Sequence, residues 1–154
     1  MNLTNLMKVK EVDAVLVTDL LNVKYLTDFT GTSGFALFVG EKKFFITDFR
    51  YASQAKFEVE KNGFEIIIEN VAQLKKAGKI LEKFNVKKIA VEDTSVTLNQ
   101  FDEFKKNFPS DIEFIGLKDS FIIEREKKTP EEIEIIRESV EVDEEMLKQL
   151  MAVC

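Results

Sequence analysis

A chain of 154 residues, 45% hydrophobic and 32% charged, has the size of one domain and a composition neither disordered nor fibrous. Its formal charge of −6 argues against generic binding to phosphate backbones. No apolar run approaches the roughly 18 residues of a membrane span.

Neither nucleic acid nor membrane is therefore an expected partner. The start, MNLTNLMKVK, lacks a basic stretch followed by an apolar one, so no secretory leader is expected. A single cysteine, Cys154, excludes an internal disulfide framework and suits a reducing compartment, the cytoplasm by default. The acidity is local: residues 124–145 hold ten acids against four bases, which accounts for the whole net charge.

In chain order, Leu3, Leu6 and Met7 mark a short first helix. DAVLVT reads as a strand and DLLNVKYL as one or two helical turns. FALFVG and KFFITD are apolar runs joined by Gly40-Glu41-Lys42, a hairpin signal. In RYASQAKFEVEKNG, Ala52, Ala55 and Val59 share a helical face, and Asn62-Gly63 supplies the stop. FEIII (strand), VAQLKKAGKILEKF (amphipathic helix), KKIAVE (strand), TLNQFDEFKKNF (helix, stopped by Pro109) and DIEFIG (strand) follow.

Helices alternating with short buried strands argue for parallel crossovers, and the early hairpin makes the sheet mixed. Six strands are expected, at about 14–17, 35–39, 43–47, 64–68, 88–91 and 112–115. Thr129-Pro130-Glu131-Glu132 then opens another helix, with Thr129 as N-cap, proline in the first turn and Glu132 completing a capping box. Its apolar stripe, Ile133, Ile136, Val140, Leu147 and Leu150, has no terminating glycine before the chain stops. The stripe suggests a self-association surface or the start of a further domain.

There is no histidine. Ser-His-Asp and Cys-His catalysis in their usual forms are excluded, as are histidine-containing metal sites. Ser33 in GTSGF lacks the second glycine of a nucleophile elbow, because position 35 is Phe. Gly31 and Gly34 make neither a dinucleotide fingerprint nor a Walker loop, and read as turn residues. An all-carboxylate metal site through Asp48, Glu92 and Asp93 is formally open, although acids at strand ends are mostly solvated. Asp48-Phe49-Arg50-Tyr51 stands where a strand hands over to a helix and has two readings. Asp48 caps the helix with Arg50 as counter-charge, or Arg50 presents its fork to a carboxylate of a substrate or a neighbouring subunit.

Three stretches, DLLNVKYLTDFTGTSGF, FFITDFRYASQA and IEREKKTPEEIEIIRESV, together resemble the N-terminal domain of the Xaa-Pro aminopeptidase, prolidase and creatinase family. The chain keeps Asn22, Tyr25, Leu26, Thr27, Phe29, Thr30, Gly31, Gly34, Thr47, Asp48, Arg50, Tyr51, Gln54 and Ala55. It also keeps Arg125, Lys128, Glu131, Glu132 and Ile133. It departs at Asp28 and Phe49, where the family usually has glycine, and at Thr32-Ser33, where Ser-Ala is usual. These departures suggest altered turns.

The resemblance implies a ribonuclease-H-like, mixed six-stranded α/β domain over residues 1–124. A linker and the first helix of a metallopeptidase ("pita-bread") domain would occupy 125–154. In such enzymes that second domain carries two divalent metals, manganese or cobalt, on two Asp, one His and two Glu. This chain is accordingly expected to be an N-terminal piece with no catalytic residue and no metal or cofactor of its own.

The implied role is that of an accessory domain in a metal-dependent peptidase that removes the residue preceding proline from short peptides, helping to form a homodimer and restricting access to the cleft. Tyr25, Phe29, Asp48, Arg50 and Tyr51 would be its substrate-access or subunit-contact residues. The loop YLTDFTGTSGF resembles that of the aminopeptidases more than that of prolidases. A prolidase domain and a non-catalytic peptide-binding module on the same scaffold are the alternatives.

Overall fold

Two strands composed wholly of buried residues, Ala14–Val17 (β1) and Phe35–Val39 (β2), form the centre of the sheet. Runs without polar alternation suit a sheet covered on both faces. The computed structural model describes residues 3–153, which fall into two units divided between Asp119 and Ser120. Cys154 lies outside the described residues.

In the first unit, helix α1 (Leu3–Lys10) leads into β1, and α2 (Leu20–Thr27) follows it. The hairpin β2–β3 (β3, Lys42–Thr47) turns at Gly40 and Glu41, with Gly40 in the left-handed region at φ 56°. After β3 come a 3-10 turn (Phe49–Tyr51), α3 (Ala52–Glu58) and a second 3-10 turn closed by Gly63 at φ 80°. Then β4 (Glu65–Ile68), α4 (Gln73–Lys83), β5 (Lys88–Val91), α5 (Leu98–Asn107) and β6 (Glu113–Gly116) alternate.

The sheet is mixed and six-stranded, in the order β4-β3-β2-β1-β5-β6. Only β2 runs against its neighbours; the pairs β3–β4, β1–β5 and β5–β6 are parallel. The period of two along each strand sorts the core into two faces. Leu16, Leu37, Phe44 and Ile46 pack with Ala77, Ile80 and Leu81 of α4 and with Phe104 of α5. On the other face Phe45 meets Phe29, and Phe38 meets Phe64 edge-on at 5.5 Å. Helices α4 and α5 approach so closely that a Cβ at Gly78 would lie 2.1 Å from the carbonyl oxygen of Asn107.

This topology brings the C-terminal ends of β1, β3, β4, β5 and β6, and the start of β2, to one end of the sheet. Asp19, Ser33, Asp48, Asn70, Glu92 and Asp93 all belong to that end.

The second unit holds α6 (Ser120–Glu126) and α7 (Pro130–Val153). Helix α6 corrects the sequence reading, which assigned no element there. Helix α7 starts as expected: Thr129 N–H donates to Glu132 Oε2 at 2.8 Å, and Glu132 N–H donates to Thr129 Oγ1 at 3.2 Å, a closed capping box. Its apolar residues, from Ile133 to Met151, are exposed within the chain. Among the described residues no helix is long and apolar enough to cross a membrane.

Candidate functional site

Strand β3 ends at Thr47, and the next residue organises the corner. The Asp48 carboxylate accepts the Arg50 backbone N–H at 3.0 Å, capping the 3-10 turn. Arg50 folds back onto the same group, donating from Nε to Oδ1 and from Nη2 to Oδ2, both at 2.9 Å. Ser33 Oγ adds a fourth donor at 3.1 Å. The Asp48 side chain is 10% exposed, whereas that of Arg50 is 62% exposed.

The geometry is that of the first sequence reading of this corner: the aspartate caps, and the arginine is its counter-charge. A two-pronged clasp leaves the outer edge of the guanidinium exposed, and Arg50 Cζ lies 5.5 Å from the centroid of the Tyr51 ring. The Arg50 side chain, aided by its own backbone N–H and by Ser33, holds the Asp48 carboxyl at about 2, below its ordinary 3.8, against the opposing effect of burial.

A depressed folded-state value stabilises the fold above the ordinary pKa, and that contribution is lost as pH falls from 3.8 through about 2. Arg50→Gln removes the largest cause, so the Asp48 carboxyl should titrate close to 3.8 in the variant. A carboxyl-carbon NMR titration measures this directly. A value still near 2 would assign the shift to Ser33 and the backbone instead.

The loop between α2 and β2 lies against this corner and is tied down along its length. Thr27 Oγ1 donates to the Val23 carbonyl at 2.7 Å and accepts the Phe29 N–H at 3.1 Å. Asp28, one of two positions where the resemblance implies glycine, itself adopts the left-handed conformation at φ 65°. Aspartate tolerates that region better than most residues. Asn62 Nδ2 donates to Asp28 Oδ2 at 3.0 Å and equally to the Thr27 carbonyl. Thr30 N–H and Oγ1 each donate to Glu58 at 2.8 Å, and Gln54 Nε2 bridges the two residues. Thr32 Oγ1 and Tyr51 OH are 2.6 Å apart.

Gly31 has a packing reason: a Cβ there would meet Phe29 Cζ at 2.3 Å and Tyr51 Cδ1 at 2.7 Å. Phe49, the other non-glycine, lies in the 3-10 turn without a left-handed backbone, and its N–H is received by Asn70 Oδ1 at 2.9 Å. Both positions where the resemblance implies glycine are thus accommodated, one by an unusual backbone and one by an ordinary one.

Of the residues singled out in the sequence, Phe29, Asp48, Arg50 and Tyr51 come together. The Tyr51 ring contacts Phe29 edge-on at 5.6 Å and lies beside Arg50. Phe29 is 1% exposed, so its ring is the floor beneath the loop rather than part of its surface. Tyr25 stands half-buried in the last turn of α2.

Sequence reasoning weighed Glu92 as a metal ligand or a solvated acid at a strand end and missed its structural place. It is 2% exposed at the end of β5. There it accepts the N–H groups of Thr18 and Asp19 at 2.6 and 2.9 Å and the Asn22 amide at 2.7 Å. The signal available in the sequence was an acid directly after a buried strand, with the capping residue Asp19 after another.

The carboxylates do not converge. Asp48 is held by Arg50, Glu92 by the start of α2, and Asp93 Oδ1 by the Lys118 N–H. Among the described residues no three acids or cysteines are grouped so as to hold a metal ion, and the sequence has no histidine. The residues of this chain do not fit the metal pair that the resemblance implies for a second domain.

A mixed six-stranded sheet with an Asp-Arg clasp at the end of β3 and a pinned loop above it defines an α/β domain of the creatinase/prolidase N-terminal type. The chain belongs to the Creatinase/Prolidase N-terminal domain family, whose pattern matches residues 1–127. It is similar to an uncharacterised peptidase, YqhT, of Bacillus subtilis (strain 168), with 34% identity over 149 residues, covering 97% of this chain and 41% of that protein. Among solved structures it resembles an Xaa-Pro dipeptidase from Bacillus anthracis, with a TM-score of 0.90 and 26% identity over 99% of this chain and 42% of that one. The N-terminal domain of the cytoplasmic peptidase PepQ from Mycobacterium tuberculosis H37Rv aligns with a TM-score of 0.69 and 26% identity, over 76% of this chain and 90% of that one. The chain thus spans about two-fifths of the length of the first two.

Proposed function

We propose that this chain is the accessory N-terminal domain of an Xaa-Pro aminopeptidase, inactive by itself, which shapes access to the cleft of a second, metal-carrying domain and contributes to a homodimer. The observation that supports this most is the match along nearly the whole chain to peptidases more than twice as long. In this reading the longer protein works in the cytoplasm and binds two divalent ions, manganese or cobalt, in the second domain. Those ions supply a polarised carbonyl and an activated hydroxide.

The present chain contributes a rigid corner. Asp48 fixes Arg50, whose outer edge, with Tyr51 and Tyr25, would face a short proline-containing peptide or a neighbouring subunit. Rigidity suits that role, because a clasped arginine loses less entropy on meeting a carboxylate than a free one. A prolidase domain is the second reading, favoured by the likeness to the Bacillus anthracis dipeptidase.

The test compares this chain with a full-length protein carrying it, on an X-Pro-X tripeptide and an X-Pro dipeptide with added manganese. The proposal expects tripeptide cleavage by the full-length protein alone. Preference for the dipeptide would select prolidase. Cleavage by neither would leave a binding module, and cleavage by the short chain would overturn the assignment.

A further inference from the structure

The net acidity of the chain conceals a basic cavity. Lys42 at the start of β3 and Lys76, Lys79 and Lys83 of α4 surround a depression of about 340 Å³ lined by Phe44 and Phe84, with Glu65 as its one acid. It lies at the opposite end of β3 from the Asp48–Arg50 clasp, about 20 Å away at the rise of an extended strand.

Acids outnumber bases in this chain, 28 to 22. Yet among the described residues none of these four lysines forms an ion pair; Lys76 alone acts on an acid, Glu69, by helping to lower its pKa. Lys76, Lys79 and Lys83 follow at helical spacing, so they line one side of α4 over about 10 Å.

Lysines beside an open edge strand commonly keep it from pairing with other chains, and β4 is such an edge. That duty needs charge but no cavity. Here the charges rim an apolar depression whose two phenyl rings stand 6.1 Å apart and tilted by 55°. Phe84 is 38% exposed, and Lys83 Nζ lies 5.7 Å from its centroid. The volume falls within the range of about 300–1,000 Å³ usual for small-molecule sites.

A row of ammonium groups calls for several negative charges in line, and a half-exposed ring calls for a flat apolar body. One chemical class offers both. We propose that this cavity binds a nucleoside polyphosphate, its base against Phe84 and its phosphates along Lys76, Lys79 and Lys83. A single nucleotide needs only this one patch, so the site is compatible with a chain that is acidic overall.

Isothermal titration of this chain with ATP, adenosine, inorganic tripolyphosphate and poly-glutamate tests it. ATP should bind with a Kd below about 1 mM, and adenosine and tripolyphosphate should each bind about tenfold more weakly or worse. The double variant Lys79→Ala, Lys83→Ala, at two exposed positions, should weaken ATP binding by about tenfold or more while leaving the circular dichroism spectrum unchanged. Three results would overturn the proposal: no saturation by ATP, equal binding in the double variant, or tripolyphosphate binding as tightly as ATP. Poly-glutamate binding more tightly than ATP would also overturn it, by making the patch a docking surface for an acidic protein.

Discussion

Phe29→Ala is expected to lower the unfolding free energy by about 3–5 kcal/mol, the usual range for emptying a buried aromatic position. The ring is 1% exposed and touches Phe45 at 4.7 Å and Tyr51 at 5.6 Å between centroids. It also carries the backbone of Gly31 directly on its edge. Removing it opens a cavity and takes the floor from under the loop at once. The bonds from Thr30 to Glu58 and Gln54 lie at the surface, where water competes for the same groups, and cannot restore the lost packing. Urea unfolding measures the loss, and Phe29→Leu, which keeps part of the apolar volume, should recover some of it. A loss below about 1 kcal/mol for Phe29→Ala, the level of an average substitution, would mean that the ring is not a support of the loop.

The central strands were legible in the sequence because nothing in them competes with burial. The expected spans 14–17, 35–39 and 88–91 coincide with β1, β2 and β5. Elsewhere the limits moved by one residue, since ladder partners rather than composition decide where a strand stops. Glu65 pairs with Phe44, and Gly116 with Val91, so β4 starts one residue later and β6 ends one residue later than the apolar runs suggest. Helix α6 has seven residues, two turns at most, too few for a helical period to register in SFIIERE.

At the site, the near-neighbour chemistry was readable and the long-range packing was not. Asp48 and Arg50 are two residues apart, so a capping aspartate with a counter-charge follows from local geometry alone. Phe29 was read as a contact at the cleft from the family resemblance alone. Its burial depends on the loop folding back until residues 29, 45 and 51 meet, and that in turn depends on the hairpin register Ala36–Phe45. No spacing in the sequence encodes that meeting. Glu92 is a similar case: its donors come from three residues 70 to 74 positions earlier, delivered by the parallel pairing of β1 with β5.

That pairing makes Glu92 the second position where a large effect is expected. Glu92→Ala strips the acceptor from two backbone N–H groups at the start of α2 and from the buried Asn22 amide. Stranding them should cost on the order of 3 kcal/mol, at about 1–3 kcal/mol for each donor that water does not reach. Glu92→Gln should cost much less. Its carbonyl can still receive the Thr18 and Asp19 N–H groups, and Asn22 can turn its amide to accept from the new one.

The two variants also separate packing from charge. Burial pushes the Glu92 carboxyl above its ordinary 4.5, although the N–H groups of Asp19 and Thr18 and the Asn22 amide pull it down. A raised folded-state value means that the native state holds its proton more tightly than the unfolded chain does. Stability from this group is therefore complete below 4.5 and is lost as pH rises through the elevated value. The difference in stability between wild type and Glu92→Gln should accordingly move against the wild type over that interval and level off above it. Urea midpoints for both proteins from pH 4 to 8 would reveal the slope. A flat difference would mean that these donors cancel the cost of burial, leaving Glu92 charged in the folded chain with no net shift.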